Sequence, residues 1–80
     1  MAVTILFLGP LRSIAGRDEM EASAPLDWDG LLGAVGPAVA EQLENERVNV
    51  ACGGRVLSDK RQICARDGDE VALLPPVSGG

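Results

Sequence analysis

Asp67-Gly68-Asp69-Glu70-Val71-Ala72-Leu73-Leu74-Pro75-Pro76-Val77-Ser78-Gly79-Gly80 is the stretch that decides the fold. Asp67-Gly68-Asp69 is turn chemistry, a glycine between two short acidic side chains that bond readily to nearby backbone. It launches residues 70–74, an apolar run that predicts the last strand, placed centrally in a sheet. Pro75-Pro76 cannot donate ladder hydrogen bonds and favours an extended polyproline conformation, so the sheet must stop and the chain must project. The reading is a globular domain over residues 1–74 and a flexible tail over 75–80, which spans about 20 Å when extended.

Working outward, Val3-Thr4-Ile5-Leu6-Phe7-Leu8 is apolar at nearly every position and predicts a first strand buried on both faces. Gly9-Pro10 stops it, and Leu11 with Ile14 makes a short helical turn that Gly16 can close. Glu19-Met20-Glu21-Ala22-Ser23-Ala24 alternates with period two, a strand with one wet face, ended by Pro25. Asp27 can cap the principal helix, whose Trp28, Leu31, Leu32 and Val35 fall on one stripe. Gly30 and Gly33 each weaken that helix by about 1 kcal/mol relative to alanine, so packing must compensate. Gly36-Pro37 interrupts it, and Val39 with Leu43 continues the buried side. Val48, Val50 and Cys52 alternate into a hairpin whose turn is Gly53-Gly54 and whose return is Arg55-Val56-Leu57. A polar connection containing Asp59-Lys60 leads to the final turn. This order predicts an α+β domain, a mixed sheet of about four or five strands with one main helix on one face.

Composition narrows the chemistry. A chain of 80 residues makes one domain and buries only about 60 to 65% of its unfolded surface, too small a core for a deep active site. Seven basic against twelve acidic residues give a net charge of −5, which repels phosphate backbones, and Phe7 and Trp28 are too few aromatics to stack bases. Nucleic acid is therefore not an expected partner. With no histidine the commonest general base and zinc ligand are missing. Cys52 and Cys64 fit no metal spacing, so no metal is expected, and the absence of a signal peptide points to a reduced, cytoplasmic setting. The longest apolar run falls far short of the roughly 18 residues of a membrane span.

The chemical device is then the tail. Gly79 and Gly80 carry no side chain to obstruct a narrow tunnel, and the Gly80 carboxylate is approachable from either side. A carboxylate is a poor electrophile and needs activation by a nucleotide. No GxxxxGK[ST] loop is present, and Gly53-Gly54 opens a hairpin and not a helix, so the ATP site must belong to a partner.

On these residues the chain resembles the small, sulfur-carrying subunits of molybdopterin synthase, a β-grasp (ubiquitin-like) family, over nearly its whole length. Three segments carry the resemblance: Ile5-Leu6-Phe7-Leu8 with Leu11-Arg12 and Gly16, the Asp67-Gly68-Asp69-Glu70-Val71-Ala72 launch, and Pro75-Pro76-Val77-Ser78-Gly79-Gly80. The resemblance implies that Gly80 is adenylated by a ubiquitin-activating-like adenylyltransferase using ATP, and converted to a thiocarboxylate with sulfur from a donor persulfide. It implies that the tail then enters the large synthase subunit, in a heterotetramer, where two transfers build the molybdopterin dithiolene. No cofactor is bound by the chain itself, and it is a sulfur donor without catalysis of its own. By the same analogy Pro75, Pro76, Val77 and Ser78 contact the partner, and Phe7, Leu8, Arg12 and Leu74 form a candidate docking patch, although Phe7 and Leu74 lie in strands and also read as core. The chain departs from many relatives at Leu73-Leu74, where two phenylalanines are common, and near Cys52, where an asparagine is common. The alternatives are a carrier of the same fold serving thiamine or cysteine synthesis, a ubiquitin-like modifier whose Gly80 joins protein lysines, or a binding module with a passive tail.

Overall fold

Residues 70–74 do lie in the middle of the sheet, between the strand of residues 2–7 and the strand of residues 49–52. In the computed structural model, which describes residues 1–76, the elements run β1 (Ala2–Phe7), α1 (Pro10–Ala15), β2 (Glu19–Ser23), β3 (Leu26–Asp27), α2 (Trp28–Val35), α3 (Pro37–Leu43), β4 (Asn49–Cys52), β5 (Arg55–Val56), a 3-10 turn (Lys60–Gln62), β6 (Cys64–Ala65) and β7 (Glu70–Leu74). Five strands form one mixed sheet in the order β2-β1-β7-β4-β5. β1 and β7 are parallel, with Ile5 opposite Val71 and Phe7 opposite Leu73. Every other pairing in that sheet is antiparallel, with Leu6 opposite Glu19, Val50 opposite Leu73 and Ala51 opposite Val56.

The helices cover one face only. Val3, Ile5, Phe7, Val50, Val71 and Leu73 point into that face and meet Leu11, Leu31, Val39 and Leu43, all buried to 2% exposure or less. β1 therefore differs from the strand expected to be buried on both faces: Ala2, Thr4 and Leu6 alternate with its core residues and are only half-buried. The reason is size, since one helical layer is all a chain of this length can supply. The interruption expected at Gly36-Pro37 separates α2 from α3, which are of similar length; Gly36 takes φ 88° and Pro37 starts the second helix.

The local expectations around the helices hold. Asp27 caps α2 through its carboxylate, which accepts from the Gly30 N–H at 2.8 Å, and Gly16 ends α1 at φ 76° while its N–H donates to the Arg12 carbonyl. Gly68 makes the expected turn into β7 at φ 87°. The polar connection after β5 holds more structure than its composition suggests. Its 3-10 turn is capped by Asp59, whose carboxylate accepts from the Arg61 N–H at 3.0 Å, and β6 pairs with β3 as a two-stranded ribbon. Ile63 and Ala65 from this segment are buried in the core.

Candidate functional site

The site is the place where β7 leaves the sheet. Because Phe7 lies opposite Leu73 in the parallel pair, the turn that ends β1 falls beside the residues that follow β7. Gly9 stands in that turn at φ 56° and ψ −136°, a combination that side-chain-bearing residues avoid. A Cβ on Gly9 would sit 3.1 Å from Cγ of Pro75, so the bare glycine is the seat on which half-buried Pro75 rests. The Leu11 and Arg12 N–H groups donate back to the Leu8 and Gly9 carbonyls at 3.2 and 3.1 Å, which holds the turn. On the other flank Asn49 pairs with Leu74. The base of the tail is thus fixed on both sides.

Near this base Leu8 is exposed at 39%, Leu74 and Pro75 are half-buried, and Pro76 and Arg12 are exposed. Arg12 meets Asp18 at 3.9 Å with both side chains mostly in solvent, a pair too long and too wet to hold it firmly. Phe7 does not join this surface. At 1% exposure it belongs to the core, because the strand alternation turns it under the helices, and as a docking contact it is withdrawn. Val77, Ser78, Gly79 and Gly80 lie outside the described residues. Gly9 and Asn49 were not singled out from sequence. The only signal for Gly9 was the Gly-Pro pair, read there as a strand stop.

The open face of the sheet leads away from the same base. Leu6 and Ala72 occupy its centre, with Leu74 and Ala51 beside them and the carboxylates of Glu19 and Glu21 on the β2 border, as the register dictates. Among the described residues no group of three or more His, Cys, Asp or Glu is placed to hold a metal ion, and no helix is long and apolar enough to cross a membrane. Both cysteines are free. Cys52 is half-buried with its Sγ 3.9 Å from the Asp69 carboxylate, and burial, followed by the charge and hydrogen bonding of Asp69, pushes its thiol up from the ordinary value. A thiol so placed is a weak nucleophile.

A mixed sheet whose first and last strands run parallel at its centre, with helices on one face and a chain leaving from the central strand, defines a β-grasp, ubiquitin-like protein. The ThiS family model matches residues 5–80, and the chain belongs to that family. Three solved structures are similar across nearly full length. The small archaeal modifier protein 1 of Methanosarcina acetivorans is 25% identical, with a TM-score of 0.75 over 99% of this chain and 96% of that one. The BexX/CysO complex of Amycolatopsis orientalis contains a chain 25% identical, with a TM-score of 0.74 over 99% and 100%. The Pyrococcus furiosus protein assigned as molybdopterin converting factor subunit 1 is 26% identical, with a TM-score of 0.71 over 96% and 99%. Among curated proteins no sequence matches.

Proposed function

We propose that the chain carries sulfur for molybdenum cofactor biosynthesis, as a globular domain over residues 1–74 bearing a reactive tail over 75–80. The observation that carries this reading is the seating of Pro75 against Gly9, directly after a central strand. It supports a firmly held starting point for the proposed tail, which a carrier needs to deliver a small group into another protein's pocket.

In this reading a ubiquitin-activating-like partner holds ATP and joins the Gly80 carboxylate to AMP. The outer sulfur of a donor persulfide then attacks the acyl carbon and displaces AMP, and a second thiol cleaves the resulting acyl disulfide, releasing the thiocarboxylate and leaving the donor sulfur in a disulfide with that thiol. The loaded tail enters a large synthase subunit, gives up its sulfur to the pterin precursor, and returns as a carboxylate. The chain binds no cofactor and catalyses nothing. Its residues position and dock: Gly9, Pro75 and Pro76 aim the tail, Leu8, Leu74 and Arg12 meet the partner, Val77 and Ser78 line the passage, and Gly79 and Gly80 pass a narrow opening. The setting is the cytoplasm, where Cys52 and Cys64 stay reduced. Likeness to the Pyrococcus furiosus protein supports the pathway, and the Amycolatopsis orientalis complex supports a partner enzyme.

A second reading is favoured by the comparably close likeness to the archaeal modifier: conjugation of Gly80 to lysines of other proteins. Intact mass spectrometry after incubation with activating enzyme, ATP and a sulfur donor separates the two. Exchange of one oxygen for sulfur at Gly80, in a chain whose mass ends at that residue, is the expected result. High-mass lysine adducts would establish the modifier, and an unchanged mass would refute both. Supply of a large synthase subunit and pterin precursor then separates this pathway from thiamine or cysteine synthesis by the product formed.

A further inference from the structure

Of the seven basic residues only Lys60 is a lysine, and the fold hides it. The residue is 8% exposed, the one buried charged side chain among the described residues. Its Nζ donates to the Val48 carbonyl at 2.7 Å and to the Asn45 carbonyl, which occupies two of the three protons of an ammonium group. The 3-10 turn that carries it is held from both sides, by the Asp59 cap at its start and by Arg61, whose Cζ stands 5.6 Å from the centre of the Trp28 ring. Lys60 lines a polar recess of about 200 Å³ together with Glu46, Asn49, Asp59 and Arg61, but with its Nζ already engaged by two carbonyls an acyl donor entering there would have to displace those bonds first.

This placement matters once a carboxylate has been activated, so the inference rests on the function proposed above. An acyl adenylate that meets a free amine forms a C–N bond as its bond to the phosphate oxygen breaks. AMP leaves, the amine loses protons to solvent, and the product is an amide that sulfide does not reopen. Arginine guanidinium stays protonated and does not take acyl groups. Acyl transfer to a thiol such as exposed Cys64 gives an exchangeable thioester, from which sulfide can recover the thiocarboxylate. Lysine is the side chain that would consume the activated end for good.

We propose that the folded chain withholds its single lysine from acylation, so that an activated terminus cannot be joined to a carrier side chain and self-linked chains do not form through Lys60. Protonation alone would not achieve this. Burial lowers the proton affinity of Lys60, with Arg61 adding to the effect and Glu46 opposing it, so the folded state favours the unprotonated amine. Shielding is what protects it.

The test uses the full chain and no activating enzyme, so its outcome does not depend on the pathway. The wild-type protein and Arg55→Lys, altered on the exposed hairpin, are treated with the N-hydroxysuccinimide ester of acetyl-glycylglycine, and the labelled sites are mapped by peptide mass spectrometry. Lys60 should label at least roughly tenfold more slowly than the introduced lysine in the folded proteins, because labelling requires local opening, and at an equal rate in denaturant. Equal rates in the folded proteins would overturn the proposal. A second preparation carries a chemically made C-terminal thioester. Isopeptide linkage should then appear at the introduced lysine and be absent at Lys60, with attack by an α-amino group recognised by its separate peptide. Linkage at Lys60 in the folded wild type, or no linkage at position 55 either, would overturn the proposal. Failure of the activating enzyme to produce a thiocarboxylate would instead defeat the function proposed above and leave both results standing.

Discussion

Gly9 combines two demands that no other residue meets, a positive φ of 56° and a neighbour 3.1 Å from where its Cβ would be. Gly9→Ala should therefore cost about 1–2 kcal/mol from backbone strain, read as a lowered thermal midpoint, and should slow sulfur transfer further by displacing Pro75. The pair was illegible in the sequence because the two residues are far apart along the chain and meet only through the parallel register of β1 and β7. The sequence did not separate Phe7 from Leu8, Arg12 and Leu74, since a residue at a strand end can turn to either face, and only the structure shows Phe7 buried while Leu8 and Arg12 are exposed. The thiols give a second prediction. Cys52 is half-buried and its folded-state affinity for a proton is raised, while Cys64 is exposed, so iodoacetamide at neutral pH should alkylate Cys64 first, as peptide mapping would show. The sign of the pH effect follows. The unfolded thiol ionises near its ordinary value of 9.0 while the folded one keeps its proton longer, so the contribution of Cys52 is fully present below that value and is lost as pH rises through the folded one. Urea unfolding should show stability falling in the alkaline range, and less so in Cys52→Ala.

At the scale of elements, α2 holds two glycines with different reasons to be there. A Cβ at Gly30 would press on the Asp27 carboxylate and on Leu26 at 3.1 Å each, whereas one at Gly33 meets nothing within 4 Å. Gly33→Ala should thus gain about 1 kcal/mol of helix stability, while Gly30→Ala should lose that gain by disturbing the cap. Thermal unfolding of the two variants side by side checks the contrast. Leu31→Asp places an unpaired charge at a fully buried position and should leave the far-ultraviolet circular dichroism of an unfolded chain. The cap, the stripe, the Gly-Gly hairpin and the last strand were readable because each has several residues at a fixed period or a turn with particular backbone needs. The β3-β6 ribbon was not, for strands of two residues have no period to detect. Nor was the 3-10 turn, where Lys60 is buried against every expectation for a lone charged residue.

For the whole molecule, the proposed division into domain and tail predicts that deleting Gly79 and Gly80 leaves the unfolding midpoint unchanged and abolishes thiocarboxylate formation, measured by calorimetry and intact mass on one preparation. A chain that unfolds on this deletion would contradict the division. The class of fold followed from the order of elements, whereas the exposed second face of β1 did not, because an apolar run carries no mark of how many layers the molecule can assemble. The parallel pairing of β1 with β7 has a further consequence for biogenesis. A nascent polypeptide cannot complete the centre of its sheet until residue 74 has emerged from the ribosome, and contacts between such distant segments form late. Under the proposed function, maturation of the body and emergence of the segment that follows it are therefore nearly simultaneous events, and a half-made product offers a partner no finished body to grip.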